Sequence, residues 1–312
     1  MLLVDVANYQ VLFCSGKGGV GKTTTAAALA WGLSQQGAKV LLVSVDPAHN
    51  LGHIFNTKFG STPQECSGLW VQELDPNQAL QSYLAKVGKQ LRATMPTHLA
   101  GEVDKHLRLA AQAPGAHESA IFEALAQLIV AGLADYDHII VDTAPSGQTT
   151  RLLELPELLE AWVQGMLQQR KKAAHLREVV VDLGGDSGNM RRDQEIRATL
   201  YQRQQLFRSF REILLDSKRC GLVLVSTAER IPLQETWEFY QELQMIGIDI
   251  AGWVINRRTP VEGALSQRRF DHEEANLQHY AAKIPLDYVQ VPLLAQEIIG
   301  KHGLKIYLDA IY

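Results

Sequence analysis

The residues with the clearest chemistry form the run GKGGVGKT at positions 16–23, which fits the pattern G-x-x-x-x-G-K-[ST]. Glycines in such a run let backbone N–H groups surround phosphate oxygens, and the helix that follows adds the positive end of its dipole. Lys22 would reach the β- and γ-phosphates of a nucleoside triphosphate, and the Thr23 hydroxyl would bind Mg²⁺. We therefore predict a phosphate loop, with nucleotide-binding residues Gly16, Lys17, Gly18, Gly19, Val20, Gly21, Lys22, Thr23 and Thr24.

Two aspartates follow short apolar runs further along the chain. Asp46 opens the segment DPAHN after the run KVLLVSV, and Asp142 follows the run at 138–141. Ligands bind outside the carboxyl ends of parallel strands, so both carboxylates are expected to face the phosphates. Asp46 is predicted to orient the attacking water, and Asp142 to hold Mg²⁺ directly or through a water molecule. The alternatives are a helix cap for Asp46 and an ordinary strand-end turn for Asp142.

The elements that position these residues are predicted from apolar runs. The run 9–15 reads as a buried strand, residues 22–36 as an Ala- and Leu-rich helix, and 39–45 as a second strand. Further apolar runs at 138–141, 222–226 and 250–255 continue the alternation. We predict an α/β fold with a doubly wound, mainly parallel sheet.

Two long stretches do not follow this alternation, at about 77–135 and 152–218. Both are mostly helical in pattern, and a doubly wound domain needs only one crossover helix at each place. We predict one domain over residues 1–312 that carries a helical subdomain made of these two segments.

Composition excludes several classes of partner. The 312 residues include 30 basic and 34 acidic side chains, a net charge of −4, so no global positive field for nucleic acid exists. No apolar run approaches the length of about 18 residues that a membrane helix needs, so stable membrane insertion is not expected. Cys14, Cys66 and Cys220 lie far apart and form no CxxC, which predicts neither a disulfide framework nor an intrachain zinc site. The expected compartment is a reducing cytoplasm.

The motifs together resemble those of the arsenite-pump ATPases and the ATPases that guide tail-anchored membrane proteins. That family carries GKGGVGKTT, DPAHN and DTAPTGHTxRxL at similar spacing, and this chain reads GKGGVGKTT, DPAHN and DTAPSGQTTRLL. The likeness continues at residues 155–156, 254–257 and 291–300. The resemblance implies a fold of the P-loop NTPase type and a homodimer that hydrolyses ATP with Mg²⁺, the nucleotide lying between the two copies.

The resemblance also implies roles for single residues. Lys17 matches the extra lysine of the family's deviant loop, which reaches the partner's nucleotide, although a solvated surface lysine is the alternative. Asp46 matches the water-activating aspartate, and Asp142 the aspartate of the second switch segment. Asn256 matches the asparagine that reads the adenine edge, or else forms a turn after a strand. Pro292 is expected to line the adenine pocket.

Departures from the family pattern bear on the biological role. Gln148 replaces the usual histidine of the second switch segment, and no CxxC follows Asn256 to hold zinc between two subunits. Scattered cysteines also disfavour a site of soft metalloid ligands. Three roles stay open: a factor that shields or delivers an apolar client, the energising subunit of an arsenite pump, and a membrane-surface spatial regulator of the cell-division or partition type. The cysteine pattern favours the first.

Overall fold

A computed structural model describes residues 2–46, 48, 50–94, 100–113, 115–144, 147, 149, 153, 155, 163–165, 168 and 188–311. Its centre is one eight-stranded sheet with the order β3-β4-β2-β5-β1-β6-β7-β8. The strands are β1 (Val11–Gly16), β2 (Val40–Ser44), β3 (Gln64–Cys66), β4 (Leu69–Glu73), β5 (His138–Asp142), β6 (Cys220–Thr227), β7 (Ile250–Arg258) and β8 (Tyr288–Pro292).

The strand at the middle of the sheet is β1, which pairs in parallel with β5 on one side and β6 on the other. All six of its residues are buried, which explains why its first four residues, VLFC, are continuously apolar and do not alternate with polar ones. The prediction of a doubly wound, mainly parallel sheet is confirmed. One pairing was not predicted: β3 runs antiparallel to β4 at the edge, and its residues are mostly exposed.

Helices alternate with the strands along the chain. Their bounds are α1 (Leu2–Val6), α2 (Lys22–Gln35), α3 (Leu51–Phe55), α4 (Pro76–Thr94), α5 (Ala100–Ala111), α6 (Ala116–Gly132), α7 (Gly188–Leu215), α8 (Arg230–Ile246), α9 (Ala264–Ala281) and α10 (Gly300–Ile311). The alanines of α2 are fully buried, so this helix lies close against the sheet. α10 packs against α2 through Leu304, Tyr307, Leu308 and Ile311.

The chain divides into two compact units. The first comprises residues 1–76, 131–153 and 213–312 and contains the whole sheet, and the second comprises 77–130 and 154–212. In the second unit, Phe122 packs against Phe207 and Phe210 with ring centroids 5.5 Å apart. Arg203 donates to Glu123 at 2.7 Å and stacks over Tyr83. Most of the predicted helical segment between 152 and 187, and also Gln148, lie outside the described residues, and the single-domain prediction stays a prediction.

Candidate nucleotide-binding site

The phosphate loop follows the central strand and runs into α2 at Lys22. Two of its glycines adopt left-handed backbone conformations, Gly19 with φ 77° and Gly21 with φ 101°. At Gly21 a Cβ atom would also overlap the side-chain amide of Asn256. Glycine is therefore required at position 21 both by backbone conformation and by the close approach of a side chain.

Asn256 is far from the phosphate loop in sequence but contacts it directly. Its Nδ2 donates to the carbonyl oxygen of Val20 at 2.8 Å, and its Oδ1 accepts from the N–H of Arg257 at 2.9 Å. The side chain is buried, with 4% of its residue surface exposed. The structure thus places Asn256 behind the phosphate loop, where its amide group donates one hydrogen to Val20. That Asn256 also binds the edge of adenine stays a prediction.

Lys22 lies at the start of α2 with its ammonium group turned back over the loop. Nζ donates to the carbonyl oxygen of Lys17 at 3.1 Å, and the residue is buried. Burial lowers the pKa of Lys22, and the nearby charges of Asp142 and Asp46 oppose this effect. The lysine is thereby held curled around the loop, at the place where the γ-phosphate of a bound nucleotide is expected.

Asp142 ends β5 and is completely buried beside the loop. Its Oδ2 accepts from the Ser44 hydroxyl at 3.0 Å, while Oδ1 has no hydrogen-bond partner among the described residues. Burial raises the pKa of Asp142 to about 7, against the opposing effects of the Thr23 and Ser44 hydroxyls and the charge of Lys22. A buried carboxylate oxygen without a partner, close to a hydroxyl, fits the oxygen donor set of Mg²⁺.

Asp46 follows β2 and is half-buried. Its Oδ1 accepts from the backbone N–H of Ala48 at 2.9 Å, and its own N–H donates to Ser44 Oγ at 3.2 Å. Its charge acts on both Lys22 and Asp142, so the three groups lie together. The hydrogen bond from Ala48 fixes the carboxylate within its turn.

Lys17 is exposed at the front of the loop. Its Nζ forms an ion pair with Glu235 Oε1 of α8 at 2.8 Å, with 47% of the lysine side chain still exposed. No sequence signal marks Glu235 among the acidic residues of this helix. Any contact of Lys17 with a second copy of the chain therefore requires that the pair with Glu235 opens.

A pocket of about 200 Å³ lies beside the loop. It is lined by Gly18, Gly19, Val20, Thr227, Glu229, Pro232, Arg257, Arg269 and Glu273. Pro292, expected there from the sequence, is exposed at the end of β8 and is not among the lining residues. The structure brings Lys17, Lys22, Asp46, Asp142 and Asn256 to the phosphate loop and leaves Pro292 outside this pocket.

A buried network of hydroxyl groups was missed by sequence reasoning. Ser15 donates to Thr149 Oγ1 at 3.1 Å, and Thr149 in turn lies 3.0 Å from Thr143 Oγ1 and 2.9 Å from the Ala144 carbonyl oxygen. The network joins β1 directly to the segment after Asp142. A polar residue at the end of an otherwise apolar strand, as at Ser15, is the signal in the sequence that points to it.

The cysteines are free and lie apart. Cys14 and Cys220 are fully buried in β1 and β6, and Cys66 is half-buried in the edge strand β3. Burial raises the pKa of both Cys14 and Cys220, so neither thiol ionises near neutral pH. Across the part of the chain that the structure describes, no cluster of three or more metal-ligating side chains occurs. None of the helices within these same residues is long and apolar enough to cross a membrane.

The geometry defines a class of protein. A glycine-rich loop between a central parallel strand and a helix, with two strand-end aspartates beside its lysine, is the site of a P-loop nucleoside triphosphatase. Comparison with known proteins then gives the family. The family model described as "Anion-transporting ATPase" matches residues 9–312, so the chain belongs to that family and is an ATPase.

Three relatives illustrate the range of the family. The chain is 33% identical to the putative arsenical pump-driving ATPase 2 of Aquifex aeolicus, over 95% of this chain and 97% of the relative. It is 31% identical to the ATPase GET3 of Pyricularia oryzae, over 97% and 90% of the two chains. It is also 33% identical to the arsenical pump-driving ATPase of Escherichia coli, over 90% of this chain and 45% of that relative. The names of these relatives include both arsenical pump-driving ATPases and an ATPase GET3. Because the identities are similar, they do not show which of the two this chain resembles in its role.

Proposed function

We propose that the chain is a Mg²⁺-dependent ATPase of the cytoplasm that works as a homodimer and shields or delivers an apolar client. The observation that carries the choice of role is the burial of Cys14 and Cys220. An arsenite site needs accessible thiolates, and these two thiols are fully buried, with raised pKa values, in the strands of the core.

Each residue of the site has a proposed role in binding or hydrolysis of ATP. Gly16, Gly18, Gly19, Val20, Gly21, Lys22, Thr23 and Thr24 bind the phosphates, and Asn256 and Pro292 are proposed to contact the adenine. Thr23 and Asp142 are proposed to hold Mg²⁺, which offsets the charge of the phosphate oxygens. Asp46 positions water for in-line attack on the γ-phosphate, because its carboxylate is fixed by Ala48 and lies near Lys22.

Lys17 is proposed to act across the dimer. Once released from Glu235, its ammonium group reaches the nucleotide of the partner and offsets the charge that develops on the β–γ bridge. Loss of the γ-phosphate then removes the contacts that hold the segments after Asp46 and Asp142, and the two copies separate. This links hydrolysis to client release.

The test uses a chain arrested with ATP. Asp46→Asn protein is expressed in its host, purified with ATP and Mg²⁺, and its co-purifying proteins are identified; Lys22→Ala, which removes the phosphate contact, is the control. Proteins with an apolar segment, enriched only with Asp46→Asn, are the expected result. Enrichment of no such protein, or enrichment equal to that of Lys22→Ala, overturns the client role.

The arsenite-pump role is the second candidate, favoured by the names of two relatives. It predicts that arsenite stimulates ATP turnover and that a membrane pump co-purifies with Asp46→Asn protein. Replacement of Cys66, the half-buried cysteine, by serine would then abolish the stimulation. Turnover that does not change with arsenite excludes this role and leaves the client role standing.

A further inference from the structure

A buried tyrosine on the last described helix is hydrogen-bonded to the helix of the phosphate loop. Tyr307 of α10 is 2% exposed, and its hydroxyl lies 2.8 Å from Thr25 Oγ1 of α2. The apolar residues Leu304, Leu308 and Ile311 already pack α10 against its neighbours. A phenol hydroxyl buried in this apolar contact costs free energy unless it is paired, and the hydroxyl of Thr25 is its partner.

The direction of the hydrogen bonds is fixed by counting protons. The Thr25 hydroxyl donates to the Gly21 carbonyl oxygen at 3.0 Å, and a hydroxyl has one proton to give. With its proton on the Gly21 carbonyl, the Thr25 hydroxyl accepts from Tyr307. Burial raises the pKa of Tyr307, so the phenol keeps its proton at neutral pH. The result is a directed chain from Tyr307 through Thr25 to the carbonyl of Gly21, in which each bond polarises the next.

Gly21 is the residue where backbone orientation matters for binding phosphate. In a planar trans peptide the C=O and the following N–H point in opposite directions. The Val20 carbonyl is held from behind by Asn256, which turns the N–H of Gly21 forward. The Gly21 carbonyl accepts from both the backbone N–H and the hydroxyl of Thr25, each at 3.0 Å, which in the same way turn the N–H of Lys22 forward. Two successive amides of the phosphate loop are thus aimed by side chains from β7 and α2.

We propose that Tyr307 is a positioning residue for the phosphate loop, acting through Thr25 on the Gly21–Lys22 peptide. The proposal rests on the proposed nucleotide site, and it adds α10 to the elements that build that site. Tyr307 touches no nucleotide itself. Its hydroxyl sets the angle of a phosphate-binding amide, so its loss weakens binding of the polyphosphate chain whatever base is attached.

The experiment removes one hydroxyl at a time. Tyr307→Phe is expected to weaken binding of ATP and of inorganic tripolyphosphate by the same factor, about 3- to 10-fold, which corresponds to one hydrogen bond. The KM for ATP rises by a similar factor, and kcat stays within about twofold. The matched control is Tyr9→Phe, which loses a hydrogen bond of 2.7 Å to Asp249 and leaves nucleotide affinity unchanged.

A second pair of variants separates positioning from packing. Thr25→Ser keeps the hydroxyl and is expected to retain affinity, whereas Thr25→Val keeps the shape and loses as much as Tyr307→Phe. The double variant Tyr307→Phe/Thr25→Val loses no more than either single variant, because both interrupt the same chain. The two Thr25 variants test the positioning role even if Tyr307→Phe does not fold.

The outcomes are distinct. Unchanged tripolyphosphate affinity in folded Tyr307→Phe, or equal losses in Thr25→Ser and Thr25→Val, overturns the positioning role alone. A loss of affinity for ATP without a loss for tripolyphosphate also overturns it, because the effect then belongs to the base. A wild-type chain that binds neither ligand overturns the proposed nucleotide site itself, and the positioning role with it.

Discussion

The two sides of the phosphate loop are held in different ways. On the back, Val20 and Lys22 are buried, and the carbonyls of Val20 and Gly21 accept hydrogen bonds from Asn256 and Thr25. On the front, residues 17–19 are exposed, and Lys17 is held by an ion pair of its side chain with Glu235 and by the bond that its carbonyl accepts from Lys22 Nζ. Buried bonds preserve the shape of the loop, while the exposed side is accessible to water and to the second copy that we propose.

The energies of the two sides differ accordingly. An exposed ion pair contributes about 0–1 kcal/mol and weakens with salt, so the front opens at little cost. A buried carbonyl that loses its donor costs about 1–3 kcal/mol, so the back resists change. The comparison predicts that changes at the back alter stability and affinity, whereas changes at the front alter turnover and assembly.

Asp46→Asn tests the front and is expected to have the largest effect. Hydrolysis falls by at least about 100-fold, because the amide no longer accepts the proton of the attacking water. Affinity for ATP stays within a few-fold, because the back of the loop is unchanged. Single-turnover hydrolysis and equilibrium binding of ATP measure the two separately. A parallel loss of affinity and turnover would contradict the division between the two sides.

Gly21→Ala tests the back. We expect the nucleotide-free protein to lose at least about 2 kcal/mol of unfolding free energy, since the new Cβ is strained and also displaces the Asn256 amide. Gly19→Ala is the matched control: its φ is also positive, but nothing lies within 4 Å of the added Cβ, so only about 1 kcal/mol of strain is expected. Denaturant unfolding measures both, and equal losses would show that Asn256 does not brace the loop.

The pH dependence of stability tests Asp142, which lies between the two sides. Its pKa of about 7 in the folded chain exceeds the ordinary value of 3.8. The folded state therefore holds the proton more tightly than the unfolded state does. Its contribution to stability is complete below pH 3.8 and is lost as pH rises through 7. The unfolding free energy of the Mg²⁺-free protein, relative to Asp142→Asn, is expected to fall between about pH 4 and 7, and a rise would contradict the assignment.

Glu235→Gln is expected to have the smallest effect. Removing the partner of Lys17 favours the state in which the lysine is free, so the ATP-induced dimer forms at a concentration about two- to fivefold lower. Glu238→Gln, on the same helix but bonded to Gln234, serves as the control and changes nothing. Light scattering with and without ATP measures dimer formation, and high salt removes the difference. Weaker dimerisation of Glu235→Gln would show that Glu235 supports the closed state.

Much of the fold and part of the site follow from local sequence. The apolar runs predicted β1, α2 and β2 within two residues of their observed bounds, because buried parallel strands need continuous apolar sequence and α2 is dense in alanine. The edge pairing of β3 with β4 was not predicted. β3 is three residues long and mostly exposed, so its sequence carries no apolar pattern.

The rest of the site depends on contacts between distant parts of the chain. The loop sequence predicts that Lys22 and Thr23 bind a nucleotide, but nothing near them in sequence indicates what lies behind the loop. Asn256 is 236 residues from Val20, and Tyr307 is 282 residues from Thr25. The ion pair of Lys17 with Glu235 likewise joins two residues that are far apart in sequence. Such pairs are fixed by the order of strands in the sheet, which local patterns do not contain.

The distance between Thr25 and Tyr307 along the chain has a consequence for biosynthesis. The phosphate loop leaves the ribosome early, whereas the helix that carries Tyr307 is made some 282 residues later. A nascent chain with β1 and α2 in place still lacks the Tyr307 hydroxyl, which pairs with the hydroxyl of Thr25. Until α10 docks, affinity for nucleotide is expected to be about 3- to 10-fold below that of the complete chain, as in Tyr307→Phe.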